Sequence, residues 1–173
     1  YGRSISGNRV DVWTPEGRTD VLQLLERHSK SAVVIHMDPN VAEDENTLEH
    51  VLVVPTRPVC VFWVIDQEPM SFDLARSFVT AVAHPQRRKV HVLRNLYWGR
   101  EEQFRDYNFS DLRNQIEYNG GKSLNFPDVA FRVVEAMKAN EWTINVGVKE
   151  LPFGSRIELV RWRRECREML AEV

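Results

Sequence analysis

The chain has 173 residues, of which 43% are hydrophobic and 28% charged, and its formal net charge is −2. This composition indicates one soluble domain with its own hydrophobic core, and the small net charge excludes a general basic field for nucleic acid or anionic membranes. No apolar run approaches the roughly 20 residues of a membrane span and no basic-then-apolar leader is present, so we expect a cytoplasmic protein without a membrane span.

The first half of the sequence predicts strands and a helix in alternation. Residues 9–13 alternate polar and apolar side chains and predict a short strand, residues 14–17 predict a turn, and the apolar side that begins at Val21 predicts a helix. Three continuous apolar runs follow, at 32–35, 51–54 and 59–65. Such runs are typical of strands buried on both faces of a parallel sheet. They place the centre of the predicted sheet within residues 31–66, with Cys60 as a packing residue.

The second half adds helices and another strand. The predicted elements are a helix from Ser71 to about Ala83, a strand at 90–93, a helix at 111–118 capped by Ser110, a helix opened by Pro127, an extended piece at 142–146 and a last helix capped by Ser155. Strands that alternate with helices favour right-handed crossovers between parallel neighbours. The sequence therefore predicts a single α/β domain over residues 1–173, with a mainly parallel sheet flanked by helices in three layers.

Polar residues follow the first of the three apolar runs, at the end of the strand where an open parallel sheet would bind a ligand. They include His36, Asp38, Pro39 and Asn40. Asp38 is the candidate for holding a metal ion or positioning water and His36 for proton transfer, with Pro39 and Asn40 beside a bound cofactor. The same residues also suit a plain strand-to-loop turn with His36 hydrogen-bonded in the core, and both interpretations stay open.

Residues 120–123 read Gly-Gly-Lys-Ser, which matches the tail of a phosphate-binding P-loop. The first glycine of such a loop would fall at Ile116, where the sequence predicts a polar helix instead of a buried strand. Residues 124–127 do not open the helix that a P-loop requires. The string is therefore not predicted to bind a nucleotide.

The order of the predicted elements resembles the ParA/MinD-like deviant Walker A ATPases. Four strings over most of the chain carry the resemblance, at residues 31–40, 69–74, 90–95 and 126–133. The resemblance implies a P-loop-like parallel sheet, ATP and Mg²⁺ as ligands, nucleotide-dependent homodimers, and roles in DNA partition, conjugation or cellular positioning. It also implies that Asn95 lies near the nucleotide base, and that His36 or Asp38 stands where the family has an aspartate.

The sequence departs from that family at the phosphate site. The glycine-rich loop with its signature lysine, and the strand before it, are absent from residues 1–173. Without that loop, nothing in the sequence stabilises the charge on a transferring phosphoryl group. His36 would also be a poor magnesium ligand, because Mg²⁺ prefers oxygen ligands. We therefore expect either the C-terminal part of a longer ATPase or a degenerate relative that no longer hydrolyses nucleotide.

Two other functions fit the residues. The chain could be a non-catalytic domain that binds a partner protein, an adaptor or DNA through its helices, although the arginines of the last helix alternate with glutamates as in a solvated face. It could also be a metal-dependent hydrolase or nuclease in which Asp38, Glu43 and Asp44 hold a divalent cation.

The aromatic residues near position 100 are predicted to form a small core under a long loop, with a base-stacking platform as the alternative; they are Trp98, Phe104, Tyr107 and Phe109.

Overall fold

The computed structural model describes residues 10–11, 14–28, 30, 33–37, 59–81 and 89–173. The predicted strand at 51–54 and the predicted site residues Asp38, Pro39, Asn40, Glu43 and Asp44 lie outside these ranges, so their roles remain predictions. All the strands named below lie in the parts of the chain that follow residue 59.

The described elements run in the order α1 (Pro15–Arg27), β1 (Cys60–Ile65), α2 (Pro69–Ala81), β2 (Lys89–Asn95), a 3₁₀ turn (Glu101–Gln103), α3 (Arg105–Asn108), α4 (Asp111–Tyr118), β3 (Ser123–Phe126), α5 (Phe131–Ala139), α6 (Ile144–Glu150) and α7 (Phe153–Leu170). Among the described residues, no helix is both long enough and apolar enough to cross a membrane.

The described strands form a parallel sheet in the order β1-β2-β3. In the register, Phe62 of β1 lies opposite His91 of β2, and Leu93 of β2 lies opposite Leu124 of β3. α2 stands between β1 and β2 in the chain, and α3 and α4 stand between β2 and β3, which is the usual way to connect parallel neighbours. The structure confirms the predicted α/β fold with a parallel sheet flanked by helices.

β2 packs on both of its faces because successive side chains of a strand point to opposite sides of the sheet. On one face, Val92 and Ile65 join a core with residues of α2, α3 and α4, namely Ala75, Tyr107, Leu112 and Ile116. On the other face, Leu93 and Leu124 pack with Met169 of α7. Helices therefore cover the central strand from both sides, which produces three layers.

α5, α6 and α7 share a separate core beyond β3. Val133, Leu151 and Leu159 are buried there. A Cβ on Gly147 would lie 3.0 Å from a methyl group of Leu159, so the missing side chain lets α6 and α7 pack closely. Trp162 donates its Nε1–H to the carbonyl oxygen of Pro127 at 2.9 Å, and this bond ties α7 to the chain that leaves β3.

Several predicted elements near the N-terminus are wrong. Thr14 does not begin a turn; its Oγ1 accepts the Gly17 N–H at 3.0 Å, and this cap lets α1 begin at the following proline. Val10 and Asp11 of the first predicted strand are described, and neither lies in a strand. Residues 33–37 also have no regular structure, and Val34 is 93% exposed. A β-branched run forms a strand only when a neighbouring strand pairs with it, and the sequence pattern does not report that pairing.

β1 forms where the run at 59–65 predicts a strand, but it is not buried on both faces. Phe62 and Val64 are 37% and 53% exposed, whereas Ile65 is 1% exposed. Among the described strands β1 pairs with β2 alone, so it stands at the edge of the described sheet. Cys60 is consequently an exposed thiol and not the packing residue that the sequence predicts.

In the second half, the predicted α4 is confirmed. Ser110 caps it by accepting the Arg113 N–H at 3.2 Å, and Gly120 follows its end with a φ of 79°, a left-handed conformation that favours glycine. Three helix starts are wrong: α2 begins at Pro69 and not after Ser71, α5 at Phe131 and not at Pro127, and α7 at Phe153 and not after Ser155. One element type is also wrong, because residues 144–150 form α6 in place of an extended piece. Thr143 caps α6, a signal that the apolar run at 142–146 conceals.

Candidate functional site

The carboxyl ends of the three described strands meet at one edge of the sheet, where open α/β sheets bind ligands. There β1 is followed by Asp66, β2 ends at Asn95, and β3 is followed by Pro127. The N–H of Leu96 donates to the carbonyl oxygen of Phe126 at 3.0 Å, so the chain that leaves β2 stays bonded to the end of β3. This edge is the candidate site.

Asp66 organises the chain after β1. Its Oδ1 accepts the Glu68 N–H at 2.9 Å, and its own N–H donates to the Oγ of Ser71 at 3.2 Å. The two hydrogen bonds fold residues 66–71 back on themselves and set the start of α2. Asp66 therefore shapes this side of the edge as well as placing a carboxylate there.

The loop after β1 lies against the loop after β2. A Cβ on Gly99 would fall 1.7 Å from the Nε2 of Gln67 and 2.8 Å from the Oε1 of Gln103. The missing side chain at position 99 leaves room for both glutamine amides. The two loops therefore form one continuous surface along the carboxyl edge.

A cleft of about 240 Å³ opens beside these loops. Its apolar part includes Phe72 and Phe104, and its polar part is formed by Asp66, Glu68, Gln67, Gln103, Arg105 and Asp106. Sites for whole small-molecule ligands usually measure about 300–1,000 Å³. The cleft is therefore large enough for only one part of a nucleotide.

Asn95 closes a tight turn that carries two exposed aromatic residues. The carbonyl oxygen of Asn95 accepts the Trp98 N–H at 3.1 Å, and its Oδ1 accepts the Tyr97 N–H at 3.2 Å. Tyr97 is 44% exposed and Trp98 is 58% exposed, and their rings meet edge to face at 5.0 Å. Within the described part of the chain the Nδ2 of Asn95 has no hydrogen bond, and its Oδ1 keeps a second lone pair. The amide can therefore both donate and accept a further hydrogen bond.

Arg94 lies on the opposite face of β2 from Asn95 and is 3% exposed. Its Nη1 lies 3.0 Å from the Oε1 of Glu101 and donates to the Oδ1 of Asn108 at 2.8 Å. The Nδ2 of Asn125 donates to the other carboxylate oxygen of Glu101 at 2.7 Å. The Glu101 carboxylate thus joins β2 to β3 and neutralises the buried guanidinium.

A second polar group lies where β3 begins. The Oγ of Ser123 donates to Glu117 at 2.8 Å, and the hydroxyl of Tyr107 lies 2.7 Å from the same Oγ and donates to it. A hydrogen bond from Arg113 lowers the pKa of Glu117, and burial raises the pKa of Tyr107. Glu117 is therefore charged and Tyr107 neutral near pH 7, and the group serves to hold α3 and α4 against β3.

His91 is a buried histidine in the middle of β2. It is 1% exposed, its ring lies 5.5 Å from the ring of Phe62, and neither ring nitrogen has a hydrogen-bond partner in the described structure. Burial lowers the pKa of His91, and the charges of Lys89 and Lys122 lower it further. His91 is therefore a neutral packing residue away from the carboxyl edge.

The structure places two of the residues that the sequence predicts for the site. Asn95 ends β2, just beyond the strand predicted at 90–93, and its place beside a nucleotide base stays a prediction. His36 is exposed and lies in the irregular residues 33–37, so neither its predicted place at the end of a strand nor its alternative place in the core is found. Asp38, Pro39 and Asn40 lie outside the described residues.

The structure also tests the predictions for residues 120–123 and for the aromatic cluster near position 100. Ser123 begins a strand and not a helix, which confirms that residues 120–123 do not form a P-loop. The aromatic cluster is divided: Phe104 and Tyr107 are core residues, whereas Trp98 and Phe109 are 58% and 88% exposed. The prediction of a small core is therefore right for two of the four residues.

Sequence reasoning missed Asp66 and the group around Arg94. Asp66 directly follows an apolar run, which is the same signal that selects Asp38, and it could have been found. Glu101 and Asn125 are far apart in sequence and lie in polar stretches without a motif, so no local signal joins them.

Within the described ranges, no three His, Cys, Asp or Glu side chains are grouped to hold a metal ion. Asp38, Glu43 and Asp44 of the hydrolase hypothesis lie outside those ranges.

Comparison with known proteins places the chain among its relatives. No protein-family model matches it, and no solved structure matches it. It is 33% identical over 177 residues to Protein MobD of Acidithiobacillus ferrooxidans, an alignment that covers 100% of this chain and 77% of the relative. Identity at this level over the whole chain indicates a shared fold. The chain belongs to the MobD family.

Proposed function

We propose that this chain binds an adenine nucleotide at the carboxyl edge of its parallel sheet and acts as a nucleotide-linked assembly protein of the ParA/MinD type. The observation that carries the proposal is the position of Asn95. It ends the central strand with an amide that is free to bond, at the place where the ParA/MinD resemblance puts an asparagine next to the base.

The surroundings of Asn95 support a ligand at this edge. The edge is formed by the carboxyl ends of parallel strands, and the loops after β1 and β2 touch through Gln67 and Gly99. Arg94, the nearest buried charge, is already bonded to Glu101 and Asn108. The turn at Asn95 thus offers amide and aromatic contacts suited to a base, whereas the cleft beside the loops carries the cation Arg105.

The remaining parts of the proposal rest on the resemblance. Asp38 would hold Mg²⁺ and position water, with Pro39 and Asn40 next to the nucleotide, and nucleotide binding would control a homodimer that works on DNA or a protein adaptor. We expect this chain to bind nucleotide without hydrolysing it, because its residues include no glycine-rich loop with a lysine to stabilise the transferring phosphoryl group.

Equilibrium binding of ATP and ADP in the presence of Mg²⁺, measured by calorimetry, tests the proposal. We expect binding that is weakened about tenfold by Asn95→Ala, because a bidentate amide–adenine contact is worth roughly 1–3 kcal/mol. Asn114→Ala is the matched control, since Asn114 is an exposed residue of α4 away from the strand ends. No binding at millimolar nucleotide, or equal losses in the two variants, would refute the proposal.

DNA binding without nucleotide is the second candidate. α7 contains five arginines and three glutamates; Arg161 is bonded to Glu158 and Glu165, whereas Arg163 and Arg167 have no ion pair among the described residues. Such side chains can contact DNA phosphates. The logarithm of the binding constant would then fall linearly with the logarithm of the salt concentration. Titration of duplex DNA at several salt concentrations, with and without ATP, separates the two candidates.

A further inference from the structure

A groove of about 410 Å³ lies in the unit formed by α5, α6 and α7, and it shares no residue with the cleft beside the carboxyl edge. Its apolar walls include Val134 and Met137 of α5, Trp142 and Ile144 around the start of α6, and Trp162 of α7. Aromatic residues and methionine are enriched at binding surfaces, and a groove of this size is typical of a binding pocket. The groove is therefore a second candidate for an interaction site.

Two charged residues, Lys138 and Glu141, line the groove. Glu141 follows α5 with a φ of 52°, a left-handed conformation that favours glycine. The Trp142 N–H donates to the Met137 carbonyl oxygen at 2.9 Å, and the Glu141 N–H donates to the Lys138 carbonyl oxygen at 3.1 Å, so the turn is held in place. Lys138 is exposed, and its flexible stem lets the ammonium turn to solvent. Among the described residues, the Glu141 carboxylate has neither a hydrogen bond nor an ion pair.

α7 carries a second apolar side, opposite to the side that packs in the cores. Leu159 and Met169 are 2% and 7% exposed, whereas Phe153, Ile157 and Val160 are 69%, 53% and 48% exposed. The three exposed residues are spaced i, i+4 and i+7, so they form one stripe along the helix, a side where a surface helix normally carries polar residues. This spacing is also the one by which a helix binds in an apolar groove.

Arg156 adds a positive charge to this stripe. Its guanidinium lies over the Phe153 ring, 5.7 Å from the ring centroid, and it has no ion pair among the described residues. The stripe thus combines exposed apolar side chains with an unpaired cation, whereas the groove combines apolar walls with the unpaired Glu141 carboxylate. The two surfaces are complementary in hydrophobicity and in charge. Because one chain carries both surfaces, a second copy of the chain is the occupant that fits the groove.

We propose that α7 of one copy docks in the groove of another copy, with Phe153 and Ile157 against Trp142 and Trp162 and with Arg156 next to Glu141. The chain therefore associates with itself through the helices that follow β3. The inference goes beyond the proposed function, because this contact needs no nucleotide and uses no residue of the carboxyl edge.

Sedimentation velocity of the whole chain without nucleotide, from micromolar to submillimolar concentration, measures the association. We expect the wild type to associate reversibly. Phe153→Ala should raise the dissociation constant about 30-fold, because truncation of a buried aromatic anchor weakens an interface by that order. Phe109→Ala is the matched control, because Phe109 is 88% exposed between α3 and α4 and lies in neither surface, so this variant should associate as the wild type does.

Two charge reversals test the pairing of the surfaces. Glu141→Arg would bring two cations together and Arg156→Glu two carboxylates, so each variant alone should associate about tenfold more weakly than the wild type. An equimolar mixture of the two variants should recover the wild-type association, because every groove in the mixed complex again meets a stripe of opposite charge. A loss caused by a damaged fold would not be recovered by mixing. Thermal unfolding of each variant confirms that the fold is intact.

The outcomes separate this inference from the proposed function. A wild type that stays monomeric at submillimolar concentration overturns the inference, and so does a wild type that associates only when ATP is present, a result that agrees with the proposed function. Equal losses in Phe153→Ala and Phe109→Ala, or charge variants whose mixture stays weak, also overturn it. Nucleotide binding is measured separately by calorimetry, so the absence of ATP binding overturns the proposed function and leaves this inference standing.

Discussion

Replacing His91 by leucine tests how the centre of the sheet is packed. The His91 ring is 1% exposed and lies 5.5 Å from the Phe62 ring, and its two nitrogens have no hydrogen-bond partner in the described structure. A neutral imidazole carries one hydrogen-bond donor and one acceptor, and burial removes the hydrogen bonds that both would make to water in the unfolded chain. Leucine has a similar volume and no polar atoms, so His91→Leu removes this cost and keeps an apolar contact with Phe62.

The expected gain follows from the cost of a buried unsatisfied polar group, which is about 1–3 kcal/mol. Imperfect repacking of a branched side chain typically costs less than about 1.5 kcal/mol. We therefore expect His91→Leu to raise the free energy of unfolding by about 1 kcal/mol at pH 7.5, where the histidine is neutral in both the folded and the unfolded chain.

The gain should grow in mild acid. Burial, helped by Lys89 and Lys122, lowers the pKa of His91 in the folded chain, whereas the unfolded chain has the ordinary value near 6.5. As the pH falls below about 6.5, the unfolded wild type takes up a proton that the folded form does not, so wild-type stability decreases until the pH reaches the lower folded pKa. The leucine variant lacks this loss.

Urea unfolding at pH 7.5 and pH 5.5, followed by circular dichroism, measures both effects. His36→Leu is the control because His36 is exposed, and a surface change is expected to alter the free energy of unfolding by less than about 0.5 kcal/mol. A less stable His91→Leu at pH 7.5, or a stability difference from the wild type that is the same at both pH values, would show that the reasoning about His91 is wrong.

Two other substitutions test contacts that only the fold creates. Glu101→Gln should lower the free energy of unfolding, measured by urea unfolding, by about 2 kcal/mol, because it leaves the buried Arg94 guanidinium without its counter-charge. Glu102→Gln is the control, because Glu102 is exposed. Equal effects of the two substitutions would contradict the prediction. Gly121→Ala should lower the free energy of unfolding by about 1–3 kcal/mol in the same measurement, because the new Cβ would lie 2.0 Å from the Val90 carbonyl oxygen. Gly154→Ala is the control, because a Cβ there meets nothing within 4 Å. A Gly121→Ala variant as stable as the wild type would contradict the close approach of this turn to β2.

The sequence by itself determined the elements whose signals lie within a few residues. Ser110 and Gly120 bound α4, and the strand predicted at 90–93 becomes part of β2, which ends at Asn95. Alternation of strands with helices was enough to predict a parallel sheet flanked by helices. These signals are local because caps, turns and strand patterns act through neighbouring residues.

Only the tertiary structure decided which apolar runs pair and which polar residues meet. The runs at 33–35 and 60–65 look alike in sequence, yet among the described residues only the second lies beside β2 and forms a strand. Glu101 reaches Asn125 across 24 positions, and burial falls on His91 and not on His36. Such contacts depend on how separate elements pack, and packing joins residues whose separation along the chain carries no pattern.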